Sequence, residues 1–288
     1  MPQRHCCIRR HFQAFQALVS TSFLDNPLMS DTQHAVATLS RLLADARQSH
    51  QQIPADTVLP TLDDDAACYA VQQAVFALTG EKIAGWKIGA KSPDAAPGGA
   101  PLASHGVHGP GVALAFDDFP PVGLELEIGF RLGKTFAARK APYSDDEVRA
   151  AIAEMGATIE LVATRFAGWP DVDKRATSAD FSTHGALIVG NFVPYRDDFP
   201  FVSPQAHFRI GSTDIVAAQV QGKISNSAGD PRRLLSWAVN YCTAQLGLDL
   251  TPDMVLTTGT FTGMYLAQQK GEVRGEIVGL PPVGFELV

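Results

Sequence analysis

Apolar and polar positions along the chain change period several times, and each change marks an element. From Asp31 to about Gln48, Val36, Leu39, Leu42, Leu43 and Ala46 recur at helical spacing and predict a first helix. Asp63 to Leu78 predicts a second, with acids at its start, a stripe of Ala70, Val71, Ala74, Val75 and Leu78, and Gly80 ending it. Gly85-Trp86-Lys87-Ile88-Gly89 then reads as a short strand, followed by a Pro/Gly-rich loop from Ser92 to Pro110. The clearest alternation runs from Val122 to Leu132. There Leu124, Leu126, Ile128, Phe130 and Leu132 fall on one side, and Glu125, Glu127 and Arg131 on the other.

Beyond that strand, Ser144 and Glu147 form a capping box. It opens a predicted helix that turns Val148, Ile152 and Met155 inward and stops at Gly156. Thr158 to Val162 and Ala186 to Val189 read as strands, separated by a loop from Arg165 to Thr183. His207–Ile210 and Ile215–Val220 read as a hairpin. Asp230-Pro231 opens a helix carried through Leu246 to Gly247, and the tail from Met254 to Val288 is strand, turn, strand, turn, strand. Many strands with few intervening helices predict an α+β domain with an antiparallel or mixed sheet and a helical lead-in over residues 29–80.

Composition narrows the class. Of 288 residues, 45% are hydrophobic and 18% charged, which is a globular balance, and we expect one catalytic domain over 29–288. A formal charge of −7 argues against nucleic acid or an anionic membrane as the main partner. No run reaches the roughly 18–20 apolar residues of a membrane span. Cys6, Cys7, Cys68 and Cys242 lack metal-ligand spacing and read as free thiols in a reducing, cytoplasmic compartment. Residues 1–28 carry Arg4, Arg9 and Arg10 with no acid before Asp25. They are weak as a targeting segment, and we expect the true start at Met29 and a poorly ordered extension before it.

Three acids, Glu125, Glu127 and Glu160, each interrupt an apolar strand. Carboxylates at i and i+2 on one strand face repel unless a positive charge lies between them, and hard oxygen ligands suit Mg²⁺ or Mn²⁺. The same alternation also describes an antiparallel strand with one solvated acidic face. Lys87, between Trp86 and Ile88, is the best candidate base if burial lowers its pKa; otherwise its stem lies along the sheet with the head in water. Thr257-Thr258-Gly259-Thr260-Phe261-Thr262-Gly263 is a hydroxyl-rich turn able to receive a carboxylate. His105, His108 and His184 fall in predicted loops and read as surface residues rather than catalytic ones. There is no G-x-S-x-G elbow, P-loop or G-x-G-x-x-G leading into a helix.

Gly-Trp-Lys-Ile-Gly, Glu-Leu-Glu-Ile-Gly-Phe, Ile-Glu-Leu-Val-x-x-Arg and Thr-Thr-Gly-Thr-x-Thr-Gly occur in this order. Together they resemble the fumarylacetoacetate hydrolase superfamily, nearest its 2-keto-4-pentenoate hydratase branch, over about residues 29–288. The resemblance implies a mixed β-roll or β-sandwich α+β body and a divalent cation, usually Mg²⁺, on Glu125, Glu127 and Glu160. It implies proton transfer by Lys87, substrate contacts from Thr258, Gly259 and Thr262, and Arg165 at the edge of the site. It further implies a homodimer or larger homo-oligomer.

The implied reaction adds water to a small 2-hydroxy-2,4-dienoate, through an enolate held on the cation, to give a 4-hydroxy-2-oxo acid of aromatic catabolism. The same site also serves decarboxylation of a 2-oxo dioate or hydrolytic C–C cleavage of an acylpyruvate; cleavage would want a histidine–carboxylate pair, for which His105 or His108 are the candidates. A non-catalytic binding or assembly role is the reading from another class, opposed by the intact acids and lysine. Three departures bear on the substrate, one of them a compact loop before the Glu-x-Glu strand. Relatives often read Val-Asp-Ser-Arg where this chain has Val162-Ala163-Thr164-Arg165, and Ala-Asp-Asn-x-x-x-Gly where it has Ala179 to Gly185 with Phe181.

Overall fold

The computed structural model describes residues 30–288, so the expectations for residues 1–28 lie outside it. The described chain sorts into two compact units, residues 30–82 with Thr164–Thr183, and Ile83–Ala163 with His184–Val288. Among the described residues no helix is long and apolar enough to cross a membrane.

The first unit is helical. Its first helix, Asp31–Ser49, begins at a capping box of Ser30 and Gln33 and buries Leu39 and Leu43. The second, Asp65–Thr79, starts where Asp64 accepts from the Ala67 N–H and ends at left-handed Gly80. Residues 164–183, which the sequence presents only as a loop, contribute a short helix, Lys174–Ala179, capped by Asp173.

The second unit holds fourteen strands among the described residues. They are Ile83–Gly89 (β1), Gly98–Ala103 (β2), Val107–His108 (β3), Ala113–Leu114 (β4), Gly123–Leu132 (β5), Ile152–Val162 (β6) and His184–Val189 (β7). Then come Val193–Pro194 (β8), Ala206–Ile210 (β9), Thr213–Asp214 (β10), Val255–Thr260 (β11), Tyr265–Leu266 (β12), Gly271–Ile277 (β13) and Val283–Leu287 (β14). The larger sheet runs β2-β1-β11-β5-β6-β7-β3, with β12 on β5 and β8 on β6; the smaller runs β10-β9-β13-β14-β4. Only Ser104–Gly106 separates β2 from β3, the two ends of the larger order, so the chain itself draws that sheet toward closure. Its apolar face meets the smaller sheet, where Gly275 faces Leu126 and Ile159.

Four further sequence-based elements differ. The loop 92–110 contains β2 and β3, since the closing sheet recruits a Gly/Pro-rich segment as its edge. The helix expected through Gly156 is a single turn, Asp145–Arg149, and β6 starts at Ile152. Ile152 and Met155 are three residues apart, a helical spacing, but a register shift pairs Leu132 with Ile152 while Phe130 pairs with Met155. The bulge thus puts both on one strand face. The expected hairpin partner Ile215–Val220 is a helical turn, Ile215–Gln219, because Asp214 accepts from the Ala217 N–H, and β9 pairs with β13 as well as with β10. The helix expected from Asp230 through Leu246 is helical over Arg233–Asn240 and continues as a wider π turn over Tyr241–Gln245.

Candidate active site

β5 and β6 are paired antiparallel so that Glu125 faces Glu160 and Glu127 faces Thr158. On the other side of β5, β11 supplies Thr257, and β1 sets Lys87 beside Thr257 in parallel register. Strand alternation therefore gathers Lys87, Glu125, Glu127, Thr158, Glu160 and Thr257 on one face, opposite the apolar face that meets the smaller sheet. The face is not the solvated acidic surface that the alternation also allowed. Glu127 and Glu160 are 2% and 1% exposed, and Glu125 is half-buried.

One carboxylate oxygen from each glutamate lies within 4.8 Å of the others. Glu160 Oε1 accepts from Lys87 Nζ at 2.5 Å and sits 3.0 Å from His184 Nδ1. Glu127 Oε2 accepts from the Thr257 hydroxyl, and from the Gly259 N–H at 3.2 Å. The Thr158 and Thr257 hydroxyls are 2.9 Å apart.

The electrostatics follow from three acids facing one lysine. Burial and Glu160 push the Glu125 carboxyl up to about 7. Burial, Glu160 and Glu125 push Glu127 well above the carboxylate range, against the Thr257 hydrogen bond. Glu160 stays below its ordinary range, since Lys87 and His184 outweigh its burial. Burial works to lower Lys87, but Glu160, Glu125 and Glu127 outweigh it and the ammonium is held above its ordinary range. In the metal-free cluster the carboxylates thus outweigh the burial expected to depress Lys87. A cluster that must take up protons to relieve its charge, and whose donors are all hard oxygens, fits a divalent cation of the Mg²⁺ class.

The Thr-Gly turn borders this cluster. Thr258 Oγ1 donates to the Ile128 carbonyl at 2.8 Å, and Asn226 Nδ2 donates to the Thr258 and Gly259 carbonyls at 2.9 and 2.8 Å. The Thr262 N–H donates to Thr260 Oγ1 at 3.1 Å, and its hydroxyl lies 3.5 Å from the Leu126 N–H. The turn is thereby fixed with the Gly259 N–H aimed at Glu127. Arg165 lies in the first unit, where Nε and the backbone N–H donate to buried Asp180 at 2.7 and 2.8 Å.

Two residues escaped the sequence reading. His184 is not a surface residue: it opens β7, is 3% exposed and meets Glu160. His105 is exposed and His108 half-buried. Asn226, invisible in a loop of small residues, orders the Thr-Gly turn. The available signal for His184 was its place one residue before Gly185 and a run of apolar strand residues; nothing in the sequence marked Asn226.

No protein-family model matches the sequence, and no curated protein matches it. Solved structures do. Two structures of 4-oxalocrotonate decarboxylase from Pseudomonas putida G7, one complexed with magnesium and adipate and one with calcium and acetate, align with TM-score 0.72 at 17% and 16% identity. Each alignment covers 91% of this chain and 100% of the decarboxylase chain. A 2-hydroxyhepta-2,4-diene-1,7-dioate isomerase from Mycobacterium marinum aligns with TM-score 0.50 at 16% identity, over 72% of this chain and 76% of its own. A candidate fumarylacetoacetate hydrolase family protein from Yersinia pestis CO92 aligns with TM-score 0.51 at 19% identity, over 70% and 91%. What these structures share with the chain is its fold, and that fold is the α+β, fumarylacetoacetate hydrolase type that the sequence resemblance implied.

Proposed function

We propose that this chain is a divalent-cation-dependent enzyme that hydrates a small 2-hydroxy-2,4-dienoate to a 4-hydroxy-2-oxo acid. The observation that carries the reading is the convergence of Glu125, Glu127 and Glu160 beside Lys87 on one buried sheet face. The three carboxylates would hold the cation, with Mg²⁺ the best match to their chemistry and Mn²⁺ next. Bound there, the cation supplies Lewis acidity and a template for a substrate's carboxylate and 2-oxygen.

The chain's own groups move the protons. Ketonisation of the dienol takes a proton from the 2-hydroxyl and places one on C5, leaving a 3-ene whose C4 is electrophilic. Lys87, hydrogen-bonded to Glu160 at the edge of the acid cluster, is the group assigned to move the proton to C5. Water then adds its oxygen to C4 and C3 takes the remaining proton. Gly259 and Thr262 are assigned to the rim beside the substrate's carboxylate, and Thr258, whose hydroxyl is taken by the Ile128 carbonyl, braces that rim from the opposite strand face. A homodimer or larger assembly belongs to the same reading and is checked by light scattering.

A second reading, decarboxylation of a 2-oxo dioate, is favoured by the full-length alignment with a decarboxylase. C–C hydrolysis is favoured by the His184–Glu160 pair, a histidine–carboxylate unit other than the expected His105 or His108. The test is loss of diene absorbance from freshly generated 2-hydroxypenta-2,4-dienoate, with Mg²⁺ and with excess chelator. Metal-dependent loss with 4-hydroxy-2-oxopentanoate as product is expected, and Lys87→Met should lower turnover by about 10²-fold or more at saturating Mg²⁺. Turnover of a 2-oxo dioate or acylpyruvate instead would replace the reaction and keep the site.

A further inference from the structure

We infer that His184 is the positioning residue of the metal centre: with Lys87 it ties down one oxygen of Glu160 so that the other is presented to the cation. The inference rests on the metal-site reading above. Among the described residues, both donors to Glu160, Lys87 Nζ and His184 Nδ1, meet the same oxygen, Oε1. Glu127 shows the same arrangement, with the Thr257 hydroxyl and the Gly259 N–H both on Oε2. Each buried ligand thus has one oxygen tied to the protein and its carboxylate plane set by two donors. A carboxylate oriented in this way loses little rotational freedom when an ion arrives, and losing such an outer partner typically costs about 10- to 100-fold in metal affinity.

The placement of His184 depends on an irregularity in the sheet. β6 and β7 are in register from Thr158 with Val189 to Leu161 with Ala186, and then a shift pairs Val162 with His184. Gly185 is the extra residue. A side chain there would put its Cβ 2.7 Å from the Leu161 carbonyl oxygen and 3.1 Å from Ala163 Cβ, so the bulge needs glycine. Without it Val162 would pair with Gly185, and His184 would pass to the other face of the sheet. The bulge brings the ring onto the face of Glu160, next to Lys87. Phe181, Ser182 and Thr183, which precede it in the chain, are three successive left-handed residues with φ of 52°, 50° and 61°.

The geometry assigns the proton on His184 to Nδ1, since Glu160 can only accept. Asparagine places its amide N–H near the position of Nδ1, whereas leucine fills the same space with no donor. We would measure Mn²⁺ binding to chelator-treated protein by the EPR signal of the free ion, for wild type, His184→Asn and His184→Leu, with ¹⁵N NMR of the imidazole in metal-free wild type. His184→Leu is expected to weaken Mn²⁺ about 10- to 100-fold, His184→Asn to restore most of the loss, and the imidazole to carry its proton on Nδ1. His184→Leu binding as tightly as wild type, or His184→Asn as weak as leucine, would overturn the inference and leave the metal site standing. Should the leucine variant fail to fold, an Nδ1 without a proton overturns the inference by itself. Wild type that binds no Mn²⁺ would sink the metal reading and this inference with it.

Discussion

Glu127 shows how its surroundings fit a single strand residue to be a candidate ligand. Its side chain is on the polar side of an alternating strand, yet it is buried, and the Thr257 hydroxyl and Gly259 N–H hold it. The Thr257 bond is one of the few influences that lower its pKa. Thr257→Val keeps the volume and removes that donor. We expect it to cost about 1–2 kcal/mol in urea unfolding and to weaken Mg²⁺ about tenfold in titration calorimetry. Unchanged affinity would mean that Thr257 packs without tuning the carboxylate. The acids and Lys87 were legible in the sequence because charged residues interrupt apolar runs. The balance between burial and the carboxylates at Lys87 was not, because it depends on distances to three acids that come from two neighbouring strands.

At the scale of elements, the β5–β6 pair does most to build the site, and its register joins Glu125 to Glu160 across the pair. β5 was plain from its alternation. The first half of β6 looked helical because the bulge converts a strand repeat into a three-residue spacing, and Gly156 looked like a helix stop. Gly156 instead makes room for an aromatic ring, since a Cβ there would stand 2.2 Å from Phe192. Gly156→Ala should therefore lower stability by about 1–3 kcal/mol by overpacking. Adding Phe192→Ala should recover part of that, so the double variant costs less than the sum of the two singles. Simple additivity in denaturant unfolding would show that the two do not meet.

For the whole molecule the excess of buried acid has a consequence in solution. Glu125 and Glu127 hold protons more tightly folded than unfolded. Their contribution to stability is fully present below the ordinary carboxyl pKa of 4.5 and is lost as pH rises, the Glu125 part through about 7. Glu160 acts in the opposite sense, but its loss begins only as pH falls below the ordinary range. Between about pH 5.5 and about pH 8, metal-free protein should therefore lose thermal stability. Mg²⁺ competes with those protons, so its stabilising shift in Tm should be larger at about pH 8 than at about pH 6. Glu125→Gln should shrink the difference; an equal Mg²⁺ shift at both pH values in wild type would show that the carboxyls are not its ligands.

What the sequence determined by itself is local and periodic. The two first helices, the Glu-x-Glu strand and the capping box at Ser144 all follow from neighbours within a few residues, where chain geometry alone fixes which side chains share a face. Tertiary structure decided whatever depends on partners distant in the chain. It recruited the Gly/Pro-rich segment into the edges of the larger sheet and gave residues 164–183 to the helical unit. A one-residue shift between β6 and β7 turned His184 from an apparent loop residue into a neighbour of Glu160. The physical reason is that strand pairing has period two, so a single inserted glycine changes the face of every residue beyond it, and no local pattern carries that information.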